Sequence, residues 1–212
     1  MILMDSRNLL VLTVYFIIVT YVFYQAYKSL DNQITVEIDS EDLSNRLENN
    51  TLEEQSIGEL MGITFKFKQS YKLEDFKTLP ITLKNTSQDS TITVDWKQCS
   101  ITDFDGVAQR VIRVVPATTE QKAAQEPSLV LPSQTIKEEV SNEALIAPLF
   151  KTEKLRKAAQ NNGKFFFRLI FRISDPVVNV EQGYNLRIQF IVKKLRLKKA
   201  LTLALKPKKS KK

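Results

Sequence analysis

The chain has 212 residues, 43% hydrophobic and 26% charged, with a net charge of +7, no histidine and one cysteine. Without an imidazole, Ser-His-Asp and Cys-His catalysis are excluded, and a single cysteine makes neither an internal disulfide nor a zinc site. The charge is also split. Residues 1–150 carry 13 Lys/Arg against 21 Asp/Glu, residues 151–212 carry 18 against 3, and from Arg187 onward there are 11 basic residues and no acidic one.

The first element is Leu9 to Tyr27, which sits in a charge-free run between Arg7 and Lys28. Nineteen helical residues span roughly 28 Å, close to the ~30 Å hydrocarbon core of a bilayer. Tyr21, Tyr24 and Tyr27 gather toward one end, where rings settle at headgroup level. The segment lacks the basic leader and small-residue cleavage site of a signal peptide, and it lacks the polar face of a buried core helix. It is therefore read as one transmembrane helix. Arg7 and the terminal amine precede it, and acidic residues follow Lys28, which predicts a cytoplasmic N-terminus and an extracytoplasmic soluble domain.

Residues 28–61 form an acidic connector, partly helical, in which Leu43 and Leu47 are spaced i, i+4 and Asp39 or Ser40 caps the helix. The period then changes to two. Ile63, Phe65 and Phe67 alternate with polar residues, as do Ile92, Val94 and Trp96, and Val107–Val115 is a further strand ended by Pro116. Asp103-Phe104-Asp105-Gly106 is a turn, and residues 116–135, with three prolines, are read mainly as loop. Lys151–Gln160 is a helix stopped by Asn161-Asn162-Gly163. Phe165, Phe167, Leu169, Phe171 and Ile173 line one face of a strand, and Tyr184, Leu186, Ile188, Phe190 and Val192 line one face of the next. Leu195–Leu205 keeps period two and predicts a last edge strand.

Seven or so short alternating strands with few helices predict a mainly β fold, an antiparallel two-sheet sandwich. The resulting organisation is an N-terminal flank (1–8), a transmembrane helix (9–27), the acidic connector (28–61), a β-sandwich domain (62–193) and a basic C-terminal end (194–212).

A family pattern lies in the middle of this domain. Ile92-Thr93-Val94-Asp95-Trp96, followed by Cys99 and then Asp103-Phe104-Asp105-Gly106-Val107-Ala108-Gln109-Arg110-Val111-Ile112, resembles the Ig-like domains of small bacterial membrane-anchored proteins and lipoproteins. There a strand carrying Trp leads into a D-x-x-G-x-x-x-R-V-I turn and strand, then a proline-serine stretch similar to Leu131-Pro132-Ser133. The resemblance covers about residues 60–193, with a transmembrane helix here in place of a lipidated cysteine. It implies an extracytoplasmic Ig-like domain of unknown function, and no activity or cofactor.

Candidate chemistry is sparse. Cys99 has no base to activate it and reads as apolar filler beside Trp96. Asp103, Asp105 and Gly106 lack the remaining ligands of a calcium loop, so a polar turn is favoured. Glu53-Glu54 and Glu138-Glu139 are adjacent pairs whose members face apart, and the Asn49 and Asn85 sequons are read as chance. No catalytic residue, cofactor site or metal site is expected. The segment with a binding character is the basic end: Lys193, Lys194, Arg196, Lys198, Lys199, Lys206, Lys208, Lys209, Lys211 and Lys212. Such clusters attract anionic lipid or an acidic protein partner, including the chain's own acidic 39–61 segment, and the bland alternative is a disordered tail that only solubilises. They also attract nucleic acid phosphates, but the tail has no aromatic platform for bases, which argues against nucleic acid. The expected function is a non-enzymatic, single-pass membrane protein presenting a binding or positioning domain. The alternative is a structural accessory subunit of a larger membrane complex.

Overall fold

A continuous apolar stretch without a polar face forms one long helix, α1 (Ser6–Asp31), in the computed structural model of the chain. The structure describes residues 6–52, 55–114, 125–143, 147–175, 180–196, 198–199 and 201–202. The chain divides into two compact units, Met1–Gln33 with Leu195–Lys212, and Ile34–Lys194. Within the first unit, Asn8–Lys28 is long and apolar enough to cross a membrane, and none of it is buried in the protein. Leu10, Ile17 and Phe23 are 66%, 64% and 71% exposed, the reverse of what a core helix shows.

The second unit is mainly β and antiparallel. Its early elements are β1 (Gln33–Ile38), α2 (Ser40–Asn49), β2 (Thr51–Leu52), β3 (Gln55–Ser56), α3 (Ile57–Leu60), β4 (Met61–Phe65) and β5 (Tyr71–Lys72). They are followed by β6 (Leu79–Asn85), β7 (Thr91–Val94), β8 (Ser100–Thr102), β9 (Ala108–Arg113), β10 (Ser128–Val130) and β11 (Thr135–Asn142). The unit closes with α4 (Thr152–Gln160), β12 (Lys164–Asp175) and β13 (Val180–Lys194). The main sheet runs β4-β6-β11-β9-β8-β12-β13-β1-β5, and β7 joins β12 to β10.

The strand β12 organises this sheet. Its whole length pairs with β13, and its other edge is shared between β8, opposite Phe166–Arg168, and β7, opposite Phe171–Ser174. Its alternation puts Phe165, Phe167, Leu169, Phe171 and Ile173 inside and Lys164, Arg168 and Arg172 in water. The sheet curls. Phe65 on β4, at one end of the strand order, lies 4.9 Å ring to ring from Phe190 on β13, near the other end. Trp96 is fully buried, and its indole N–H donates to Ser128 Oγ at 2.8 Å.

Several expectations are corrected. The 28–61 stretch is more than a connector: β1 pairs with β13 from Ile34↔Lys194 to Ile38↔Phe190, and Ile34, Val36 and Leu43 are buried. The α2 cap is Asp39, whose carboxylate accepts from Asp42 N at 3.2 Å. The 116–135 stretch contains β10, which pairs with β7, while residues 115–124 lie outside the described residues. The charged segment Thr135–Asn142 is a central strand between β6 and β9. The predicted strand over 195–205 is replaced by helical residues at 198–199 and 201–202, with Thr202 Oγ1 donating to Lys198 O at 2.9 Å. The physical reason is that the strand paired with the end of β13 begins at Gln33 and the chain before it is helix, so among the described residues β1 offers no partner past Leu195.

Candidate functional site: the basic end and its surroundings

The last residues of β13 set where the basic end begins. Lys194 stands opposite Ile34 and Lys193 opposite Thr35. Lys193 Nζ lies 2.6 Å from Glu37 Oε2, an exposed cross-strand ion pair. This ties up one of the ten expected charges, and such pairs contribute roughly 0–1 kcal/mol to stability. Leu195 N then donates to Gln33 O at 3.0 Å. Arg196, Lys198 and Lys199 are exposed, and Lys199 N donates to Arg196 O at 2.9 Å. Lys206, Lys208, Lys209, Lys211 and Lys212 lie outside the described residues.

A second basic feature lies on the outer face of the sheet, where sequence reasoning saw only solvated alternation. In the β12–β13 register Arg168 is directly opposite Arg187, and β8 and β9 extend the row through Ser100 to Arg110. Arg187 Cζ lies 3.7 Å from the centroid of the Phe166 ring, a cation–π contact. Arg172 and Arg110 have acidic partners, Glu181 at 3.1 Å and Glu143 at 3.7 Å. Like charges directly opposite across a strand pair are destabilising. The pair follows from the register, since Asp175 opposite Val180 places residue 168 against residue 187.

The remaining chemical candidates are structural in their contacts. Cys99 is 1% exposed, and burial pushes its thiol up to about 12, so it carries essentially no thiolate near neutrality. Asp103 is buried in the turn before β9. Its Oδ1 accepts from Asp105 N at 3.0 Å and Val107 N at 2.8 Å, and Gly106 adopts φ +82°, which a side chain would strain. Burial pushes the Asp103 carboxyl up, but the Val107 N–H, the Lys154 ammonium at 3.0 Å and the Asp105 N–H outweigh it and hold it below the usual range. Lys154 also contacts the Asp105 carboxylate. The turn is thus closed by its own backbone and one lysine. Among the described residues no group of three or more acidic, Cys or His side chains is placed to hold a metal ion.

Glu138 and Glu139 do face apart. Glu138 pairs with Arg113 at 3.0 Å and accepts from Ser128 Oγ at 3.2 Å, inside the network that also holds Trp96, while Glu139 is exposed. Glu53 and Glu54 lie outside the described residues. Asn85 is fully buried, donating to Ser90 O and Val130 O, so its sequon is sealed in the fold. An open groove of about 660 Å³ is lined by Gln109, Asn142, Phe150, Lys151, Thr152 and Glu153, with a single carboxylate among its lining residues.

No protein-family model matches the chain, and no curated protein matches it in sequence. Among solved structures, the YadV chaperone is 13% identical with a TM-score of 0.31, over 62% of this chain and 50% of that one, so the chain spans half the length of that protein. A FixG-related protein from Vibrio parahaemolyticus is 13% identical with a TM-score of 0.29, over 64% of this chain and 98% of that one. The structural-genomics target SoR45 is 13% identical with a TM-score of 0.27, over 78% and 89%. Likenesses at this level assign neither fold nor function to this chain.

Proposed function

We propose that this chain is a non-enzymatic, single-pass membrane protein that holds an Ig-like β-sandwich outside the cytoplasm as a binding and positioning domain. The observation that carries the reading is the contrast in α1: an apolar span with none of its length buried in the protein, separated by one residue, Asn32, from a strand of the sheet. A free helix of this composition in water would expose Phe16, Ile17 and Phe23 together, a patch that soluble proteins avoid. The ring contact from β4 to β13 across the core supports a sandwich, because it puts two inner faces of one curled sheet against each other. The flanking charges, Arg7 before the span and Lys28 then acidic residues after it, support a cytoplasmic N-terminus.

The test is Glu126→Cys, at an exposed position, labelled in intact cells by an impermeant thiol reagent. The parent chain is the control, since its buried Cys99 does not react while folded. Labelling in intact cells supports the extracytoplasmic domain, and labelling only after membrane rupture overturns it. A second reading, an accessory subunit of a larger membrane complex, is favoured by a shallow groove on α1 lined by Thr13, Phe16, Ile17, Thr20, Tyr21 and Tyr24, the shape a neighbouring helix fills. Migration as one discrete large species in native gels after gentle extraction supports it.

A further inference from the structure

The β unit is entered at Ile34 and left at Lys194, and these two residues are opposite each other in the β1–β13 register. Within the first unit the pairing extends one step, through the Leu195 N–H on the Gln33 carbonyl. Gln33 follows the span Asn8–Lys28 by five residues, and α1 continues to Asp31. Asn32 N still donates to Lys28 O at 3.3 Å, so helix rise through Asn32 and one extended residue put Gln33 on the order of 9 Å from the polar end of the span. The basic end, remote from the anchor in sequence, starts at the anchor's foot. Lys28, Arg196, Lys198 and Lys199 are exposed there, and none has an acidic ion-pair partner among the described residues.

We infer that Lys28, Arg196, Lys198 and Lys199 form a juxtamembrane cluster that binds the phosphate-bearing headgroups of anionic phospholipid. The inference rests on the reading of α1 as a membrane span. Lipid is favoured over an acidic protein because the chain itself holds these charges next to headgroups, so the contact is intramolecular and needs little intrinsic affinity. Guanidinium and ammonium groups suit phosphate oxygens, and no acidic residue occurs after Arg187 to compete. The bilayer would then hold the domain at two points, the span and the basic end.

The test uses the full chain in liposomes, with an environment-sensitive dye on Thr202→Cys, an exposed position, and Cys99 silent in the folded protein. The expected result is a blue shift with phosphatidylglycerol in the vesicle that is absent with phosphatidylcholine alone and reversed by high salt. Arg196→Gln, Lys198→Gln and Lys199→Gln combined should need severalfold more anionic lipid for half the shift, whereas Lys193→Gln, already paired with Glu37, should not. Equal emission on both vesicles overturns the inference, as does an equal shift from inorganic phosphate over neutral vesicles. A chain that alkaline washing strips from neutral liposomes overturns the membrane reading itself.

Discussion

Phe16 and Phe23 on α1 are 59% and 71% exposed, while Phe165, Phe167, Phe171 and Phe190 in the sheet are 0% exposed. One residue type thus meets two opposite fates within one chain. In β12 every second residue is apolar and Lys164, Arg168 and Arg172 mark a water face, so half of the strand is suited to solvent. In α1 no position on any side is charged between Arg7 and Lys28, so no rotation of the helix suits both a core and water. Periodicity, more than hydrophobicity, separates the strand that packs inside this protein from the helix that packs against none of it.

The largest effect should come from testing the buried side of that comparison. Phe165→Ala removes a ring that packs on Phe190 at 4.9 Å and on Phe150 at 5.0 Å, and should cost about 3–5 kcal/mol in denaturant unfolding followed by Trp96 emission. Phe16→Ala should leave that unfolding curve unchanged, and comparable losses from both would break the comparison. Next, Ile17→Asp should disfavour membrane insertion by about 2.5–3.5 kcal/mol, read as release on alkaline extraction, with no change in the thermal midpoint of the β unit.

A smaller effect concerns the buried acid. The Asp103 carboxyl is held below its ordinary value, so its contribution is present above about pH 4 and is lost as pH falls through the lower folded value. Asp103→Asn should cost about 1 kcal/mol at pH 7, because Lys154 is half-exposed and screened, and the difference from the parent should vanish in acid. Parallel stability curves down to pH 2 would sink this account. The smallest effect has the opposite sign. Arg168→Thr removes the like-charge opposition to Arg187 and should stabilise the sheet by roughly 0.2–1 kcal/mol, visible as a higher midpoint at low salt that fades as salt is added.

The elements legible in the sequence were those with a single strong period. The charge-free run of α1, the long alternations of β12 and β13, and α4 with its Asn161-Asn162-Gly163 stop all lie where residue spacing puts them. The strand β1 carries the same alternation, Ile34-Val36-Ile38, but its acidic surroundings read as linker, and only its distant partner β13 shows it to be core. The strand β11 was hidden by Lys137, Glu138 and Glu139, because Glu138 is satisfied by Arg113 rather than by water. At the C-terminal end the alternation of leucines suggested a strand, yet pairing partners decide strands, and β1 begins only at Gln33, just past the end of α1. The basic residues themselves were legible from composition. Their nearness to the span was not, because it depends on the β1–β13 register.

That register also sets a timetable. The first strand synthesised, β1, hydrogen-bonds to the last, β13, and is already joined to α1 as the ribosome makes everything between them. Loop closure over so long an intervening chain is slow, and it cannot begin before the residues after Arg187 emerge. A chain cut short before that point keeps α1 and lacks its closing strand, so Ile34 and Val36, both buried in the finished fold, lose the strand they pair beside.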